Sequence, residues 1–204
     1  MEMITKEKFI SVFKEKSIVL FTSQDIFKIF KIQPLAAKAL LQRLKKRKII
    51  QPLTRGKYLF LFAPKIPEEF EIANFLHQPS YVSLESALSF YGLIDQFPYQ
   101  VFSITLEKTK SFKVGEKNFV YTHIKPEFFK DYKKEGNFLI ATPEKSVFDF
   151  LYLVYKGART KNSLKLLNLE RVNLSRVKLE EYIGKLSLEK DKNFIKFCKN
   201  QGII

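Results

Sequence analysis

The sequence predicts an α+β fold divided between two domains, and three observations support this prediction. Residues 1–65 combine apolar residues at helical spacing with a β-prone aromatic run after Arg55. Residues 66–204 alternate short strand-like runs with helical segments. The joining stretch APKIPEE at 63–69 contains two prolines and ends a bias toward basic residues, as is typical of a domain boundary. We therefore expect domains at 1–65 and 66–204.

Two short helices are expected before residue 31. Thr5 can cap a first helix that runs to about Lys14. The apolar run IVLF at 18–21 is short enough for a small strand or a buried connector. The following TSQD at 22–25 resembles a capping box with Asp in place of Glu, which indicates a second helix that continues to Phe30.

A third helix has two chemically different faces. It begins at Pro34, since the first helical position needs no backbone N–H partner, and it continues to about Lys48. At 100° per residue one stripe is apolar and predicts a packed face. That stripe consists of Ala37, Leu40, Leu41 and Leu44. The opposite face carries Lys38, Ala39, Gln42, Arg43 and Lys46.

A hairpin with a basic tip is expected next, since Pro52 and Arg55-Gly56 are turn signals between two extended runs. This order of elements, two helices, a turn, a third helix and a hairpin, is that of a winged helix-turn-helix. In such a domain the third helix enters the DNA major groove. Lys and Arg can neutralise phosphates, while Gln and Arg can read base edges. The residues expected on DNA are Lys38, Gln42, Arg43, Lys45, Lys46, Arg55 and Lys57. The alternative is a cationic face that only keeps the helix solvated.

The charge distribution favours the DNA-binding interpretation. The chain of 204 residues has a net charge of +15. Residues 1–65 hold 15 Lys and Arg against 4 Asp and Glu, whereas residues 66–204 hold 21 against 17. A basic module joined to a nearly balanced domain is expected for a nucleic-acid-binding protein. Membrane-surface binding is less favoured, because the cationic helix lacks bulky aromatic anchors.

Cysteine usage and hydropathy point to a cytoplasmic protein. The single Cys198 excludes an intramolecular disulfide and any site with several cysteine ligands. The first residues lack the apolar run of a signal peptide, and no stretch approaches the length of a transmembrane helix. We expect a monomer without a membrane partner, because no heptad pattern or exposed apolar dimer helix is visible.

The second domain is predicted to contain a small antiparallel sheet and C-terminal helices. Ser83 is expected to cap a helix over 84–91 that ends at Gly92. Strands are expected at 101–106 and 138–141, and a hairpin turns at Gly115. The region 162–204 is expected to form two or three further helices.

The strongest helix signal in this domain starts at Thr142, which is followed by Pro143 and an acid in the first turn. This helix is expected to reach Tyr155 and to bury a stripe that includes Phe148. The side away from that stripe is the only candidate site of the domain, and consists of Glu144, Lys145, Asp149, Tyr152 and Lys156. Lys145 could bind a phosphate or an acidic partner surface there. Alternatively, Lys145 and Asp149 simply pair across one helical turn.

Signals for enzymatic chemistry are weak. There is no glycine-rich phosphate loop, no paired-histidine metal motif and no nucleophile elbow. His77 and His123 are far apart in the sequence, and Asp131 with Lys133 only faintly resembles part of a nuclease site. We therefore predict no catalytic residue, no metal site and no cofactor, and a protein that is not an enzyme.

Three segments resemble the AbiEi-type antitoxins, a family of bacterial transcriptional regulators in type IV toxin–antitoxin (abortive infection) operons. They are TRGKY at 54–58, YVSLESALSFYGL at 81–93 and ATPEKSVFD at 141–149. In order and spacing they cover most of residues 20–155. The chain departs from the family's common pattern in being richer in Lys and Phe, and in having Lys31-Ile32 where a glycine is usual near the helix-turn-helix turn.

The resemblance implies a two-part protein. Its winged helix would repress its own operon by binding inverted repeats in double-stranded DNA. Its second domain would counteract a toxin of the nucleotidyltransferase class, without necessarily forming a stable complex. The alternative is an enzyme that modifies nucleic acid or a partner protein and is delivered by the winged helix.

Overall fold

The computed structural model describes residues 4–171, 174–188 and 192–200. The chain is mixed α+β, and it divides into two compact units. The N-terminal unit extends to Leu76 and the C-terminal unit begins at His77. The change of composition at residues 63–69 therefore lies before the boundary between the two compact units, because one further helix belongs to the N-terminal unit.

The N-terminal unit contains four helices and one sheet among its described residues. The helices are α1 (Lys6–Glu15), α2 (Ser23–Phe30), α3 (Pro34–Lys46) and α4 (Glu69–Leu76). The strands are β1 (Leu20–Thr22), β2 (Ile50–Thr54) and β3 (Lys57–Phe60), in the spatial order β1-β3-β2. Both pairings are antiparallel. The central β3 therefore joins the strand that precedes α2 to the strand that follows α3.

Aromatic rings and the apolar face of α3 form the core of this unit. The centroids of Phe9 and Phe13 lie 4.1 Å apart, and Phe21 and Phe60 meet the Phe13 ring edge-on at 4.9 and 5.4 Å. All four residues predicted for the packed face of α3 are buried, which confirms the prediction. Full burial of each leucine stabilises the fold by about 1.5–3 kcal/mol, so this face fixes how α3 is rotated.

Local signals set the ends of α2. Thr22 and Asp25 form the predicted capping box, in which the Thr22 hydroxyl accepts from the Asp25 N–H and the carboxylate accepts from the Thr22 N–H. At the other end Lys31 adopts a left-handed conformation with φ 49° and ψ 42°. The turn into α3 thus has a backbone conformation that glycine adopts more readily, although a lysine occupies it.

The described part of the C-terminal unit has six strands and four α-helices. The strands are β4 (Ser80–Val82), β5 (Val101–Thr105), β6 (Lys110–Val114), β7 (Lys117–His123), β8 (Tyr132–Glu135) and β9 (Phe138–Ala141). The helices are α5 (Leu84–Phe90), α6 (Pro143–Tyr155), α7 (Arg176–Leu188) and α8 (Lys192–Asn200), with short 3₁₀ turns at Pro126–Phe128, Lys161–Leu166 and Leu169–Arg171.

The predicted small antiparallel sheet is wrong in size and direction. The six strands form one sheet in the order β6-β7-β5-β4-β9-β8, and two of its pairings, β4 with β9 and β5 with β7, are parallel. Sequence patterns find hairpins, such as β6–β7 around Gly115, because the turn is local. They do not show that β9 returns to lie beside β4, a pairing between segments about 58 residues apart in the chain.

Replacing Lys31 by glycine should raise the free energy of unfolding by roughly 0.5–1 kcal/mol, because glycine adopts the left-handed conformation without a Cβ penalty. Chemical denaturation of the full chain measures the change. The matched control is Lys31→Ala, which removes the same charge but keeps the Cβ atom and should not stabilise. Equal stability of the two variants would show that the left-handed turn carries no strain.

Candidate functional site

The outward face of α3 is a polar and cationic surface. Its predicted DNA-binding residues Lys38, Gln42, Arg43, Lys45 and Lys46 are all exposed. The buried stripe on the other side of the same helix holds them in this orientation. No Asp or Glu occurs between Asp25 and Glu68, so neither α3 nor the β2–β3 hairpin contributes an acidic side chain. The field of this face is therefore positive, as a polyanion requires.

A groove runs beside α3. It has a volume of 460 Å³ and is bordered by α2, α3, β2 and β3. Its lining is Ser23, Phe27, Pro34, Lys38, Leu41, Gln42, Lys45, Pro52 and Tyr58. Two lysines thus line the groove together with aromatic and proline residues. A nucleic-acid backbone, which alternates anionic phosphates with less polar sugars, has chemistry that complements this lining.

The two basic residues of the hairpin differ in their surroundings. Arg55 is exposed at the β2–β3 turn, where Gly56 has a φ of +74°. The Lys57 ammonium instead donates to the carbonyl oxygens of Phe75 and Leu76, at 2.8 and 3.1 Å. These carbonyls belong to the last turn of α4, whose dipole favours a cation. Lys57 therefore ties the hairpin to α4, a tertiary contact for which the local sequence holds no signal.

The candidate face of α6 is not a surface. Lys145 and Asp149 are 1% and 0% exposed, and Glu144 and Tyr152 are buried as well. The prediction that these residues line the side away from the core is wrong, because α6 is buried on all sides between Glu144 and Val154. The pairing of Lys145 with Asp149 across one turn is confirmed.

A hydrogen-bonded cluster surrounds this ion pair. The second carboxylate oxygen of Asp149 accepts from the Tyr81 hydroxyl at 3.0 Å and from the Ser83 hydroxyl at 2.8 Å. Ser83 precedes α5 as predicted, but its hydroxyl does not cap that helix and is directed to Asp149 instead. The cluster thus links α6 to β4 and to the start of α5 inside the core of the C-terminal unit.

Burial dominates the electrostatics of the cluster. It lowers the pKa of Lys145 and raises the pKa of Asp149, against the opposing effect of their mutual attraction. Burial, followed by the nearby Asp149 charge, also raises the pKa of Tyr81 well above its usual value. Both carboxylate oxygens of Asp149 have a donor, and these contacts hold α6 against β4. Because the pair is buried, it offers no exposed group to a ligand.

The remaining candidates do not converge on one site. Glu144 accepts a hydrogen bond from the Ser175 N–H at 3.1 Å, and Lys156 is exposed beyond the C-terminal end of α6. The His77 ring lies edge-on to Tyr121 at 5.0 Å, and His123 Nδ1 lies 3.0 Å from the Leu106 carbonyl oxygen.

Within residues 4–171, 174–188 and 192–200, no group of three His, Cys, Asp or Glu side chains could hold a metal ion. None of the described helices has the length and apolar character needed to cross a membrane.

Removing one member of the buried pair should cost about 3–5 kcal/mol of stability, because the other charge is left without its counterion. Removing both should cost much less. We therefore expect Lys145→Met and Asp149→Asn to lower the free energy of unfolding strongly, and the double variant to recover most of that loss. Denaturant unfolding of the four proteins measures the coupling. If the losses of unfolding free energy in the two single variants simply add in the double variant, Lys145 and Asp149 do not stabilise each other, which would contradict the expected coupling.

The Lys145→Met variant should also become less stable as the pH rises. Burial raises the pKa of Asp149 and the Lys145 charge opposes this shift, so removing the cation should raise this pKa further above the unfolded value of about 3.9. A raised folded-state pKa contributes stability that is complete below the unfolded-state pKa and is lost as the pH rises from there through the folded-state pKa. The stability difference between this variant and the double variant should grow with pH. A difference independent of pH would mean that Asp149 has the same pKa in the folded and unfolded states, and would contradict a pKa raised by burial.

Comparison with known proteins assigns no family to the chain. No protein-family model matches it, and no curated protein has a significantly similar sequence. The structure itself shows two notable arrangements of charge: the cationic face of α3 beside its groove in the N-terminal unit, and the buried Lys145–Asp149 pair in the C-terminal unit.

Proposed function

We propose that this chain is a DNA-binding transcriptional regulator whose N-terminal unit is a winged helix. The observation that carries the proposal is the outward face of α3, where Lys38, Arg43, Lys45 and Lys46 are exposed on a helix without acidic residues. These four cations and the exposed Gln42 on the same helix are suited to the regular phosphates and base edges of a DNA groove.

The order and pairing of elements support the same interpretation. The sequence of α1, β1, α2, α3 and the β2–β3 hairpin is typical of a winged helix, with α3 in the place of the recognition helix. Lys38 and Lys45 lie two helical turns apart along the groove and would contact phosphates of one strand. Arg55 at the hairpin turn would contact a further phosphate, while Lys57 holds the hairpin on α4.

The role proposed for the C-terminal unit is that of an antitoxin, and its support is the resemblance of residues 81–93 and 141–149 to the AbiEi-type family. In that role the protein would repress its own operon and counteract a nucleotidyltransferase-type toxin. The first segment contains most of β4 and all of α5, and the second runs from the last residue of β9 into α6 and contains the Lys145–Asp149 pair. In this proposal the pair acts by holding those elements together, so its loss would affect antitoxin action through folding.

Charge variants on α3 and at the β2–β3 turn test the DNA-binding proposal. The full chain is titrated by fluorescence anisotropy onto its own upstream region and onto a random duplex, at two salt concentrations. We expect tighter binding to the upstream duplex, with a steep salt dependence. Arg43→Ala and Arg55→Ala should each weaken binding and reduce the logarithmic salt slope by about 1 per lost phosphate contact.

Lys14→Ala is the matched control, because Lys14 is also exposed and basic but lies on α1. It should leave the affinity and the salt slope nearly unchanged, and thermal melting should show that all three variants are folded. Equal, weak binding of both duplexes, or equal effects of all three substitutions, would remove α3 as a specific DNA-binding face.

Co-expression tests the antitoxin proposal separately. A nucleotidyltransferase encoded next to this chain should arrest growth when expressed alone, and the full chain should restore growth. The Arg43→Ala variant should still restore growth when both genes are driven by foreign promoters, because repression is then bypassed. Failure of the folded wild-type chain to restore growth would contradict the antitoxin role and leave the DNA-binding proposal standing.

A further inference from the structure

One long apolar side chain stands on the outward face of α3. Leu35 is 80% exposed, although it lies in the first turn of a helix whose other apolar long side chains, Leu40, Leu41 and Leu44, are buried. Exposed leucines are common on protein surfaces, so exposure alone says little. The position of Leu35 on the helix is more informative.

Leu35 lies on the crest of α3, by which we mean the strip of the helix surface that points directly away from the buried stripe. At 100° per residue, Leu35, Ala39, Gln42 and Lys46 fall within a sector of about 60°, directly opposite the buried stripe. Ala36 and Ala39 beside Leu35 are exposed and small. The crest is therefore apolar in its first turn and a half, and polar from Gln42 onward.

We propose that Leu35 reads the methyl group of a thymine in the DNA major groove. The inference rests on the proposed function, in which α3 enters that groove. In such complexes the N-terminal residues of the recognition helix contact the base edges. Of the groups that base pairs present in the major groove, only the thymine C5-methyl group is apolar and suits a leucine side chain.

Neighbouring residues favour the same base pairs. The small side chains of Ala36 and Ala39 allow the first turn to approach the groove floor closely. Gln42, on the same crest, can donate to and accept from an adenine edge. Leu35 and Gln42 are separated by about 10 Å along the helix, roughly three base-pair steps. The crest of α3 thus recognises a short A·T-containing segment, with Leu35 selecting thymine at one position.

The test uses duplexes selected by the full-length protein from a random library. Each thymine of the preferred duplex is replaced in turn by deoxyuridine, which lacks only the methyl group. At one position this replacement should weaken binding of the wild-type protein by roughly fourfold, the effect of one buried methyl group. The Leu35→Ala variant should bind the thymine and deoxyuridine duplexes equally.

Ile66→Ala is the matched control, since Ile66 is 85% exposed in the same unit but lies outside α3. It should retain the wild-type preference for thymine. The inference is overturned if no deoxyuridine replacement affects the wild-type protein. It is also overturned if the wild type and Leu35→Ala lose the same factor, which would mean that Leu35 acts through folding or through a protein contact.

Two outcomes of the selection separate the role of Leu35 from DNA recognition by α3. Selection of a specific duplex without any methyl effect would refute the role of Leu35 alone and leave DNA recognition in place. If the selection yields no preferred duplex and the affinity for all duplexes is equal, both the inference and the specific DNA-binding function are refuted.

Discussion

The two-sided character of α3 is the constraint on which the N-terminal unit depends. Ala37, Leu40, Leu41 and Leu44 must be buried against the aromatic core, and this fixes the rotation of the helix. Because the sequence between Asp25 and Glu68 contains no acid, the opposite face can only be cationic or neutral. Packing on one side therefore determines which charges face outward. The β2–β3 hairpin, held by Lys57 on α4, places Arg55 on the same unit without adding any negative charge.

In the C-terminal unit the notable charges are buried, whereas on α3 they are exposed. Lys145 and Asp149 are buried in its core, where each charge offsets the other and the Asp149 carboxylate also accepts hydrogen bonds from the Tyr81 and Ser83 hydroxyls. Such a cluster demands specific geometry from three elements at once, since a partner that moves away leaves a buried charge unsatisfied. The pair consequently constrains how α6, β4 and the start of α5 pack, a role that an apolar contact would fulfil with less directional precision.

The sequence could predict the features that depend on local patterns. Helical periodicity identified the packed face of α3, and the chemistry of Thr22 and Asp25 identified the start of α2. Periodicity failed at α6, because Lys145 and Asp149 satisfy each other inside the core and so resemble a solvated face. It also could not show that Lys57 reaches the end of α4, or that β9 pairs with β4, because these contacts join distant segments. Short strands rich in polar residues, such as β8, lack the alternation that marks a half-buried strand.

The most direct test of the central claim is to observe which part of the chain contacts DNA. In an NMR titration of the full ¹⁵N-labelled chain with a short duplex at low salt, amide signals are followed residue by residue. We expect the largest changes in residues 34–46 and near the hairpin turn at 54–57, with little change in the C-terminal unit. The largest changes at residues beyond 77, or no changes at all, would contradict the claim that the outward face of α3 is the DNA-binding surface.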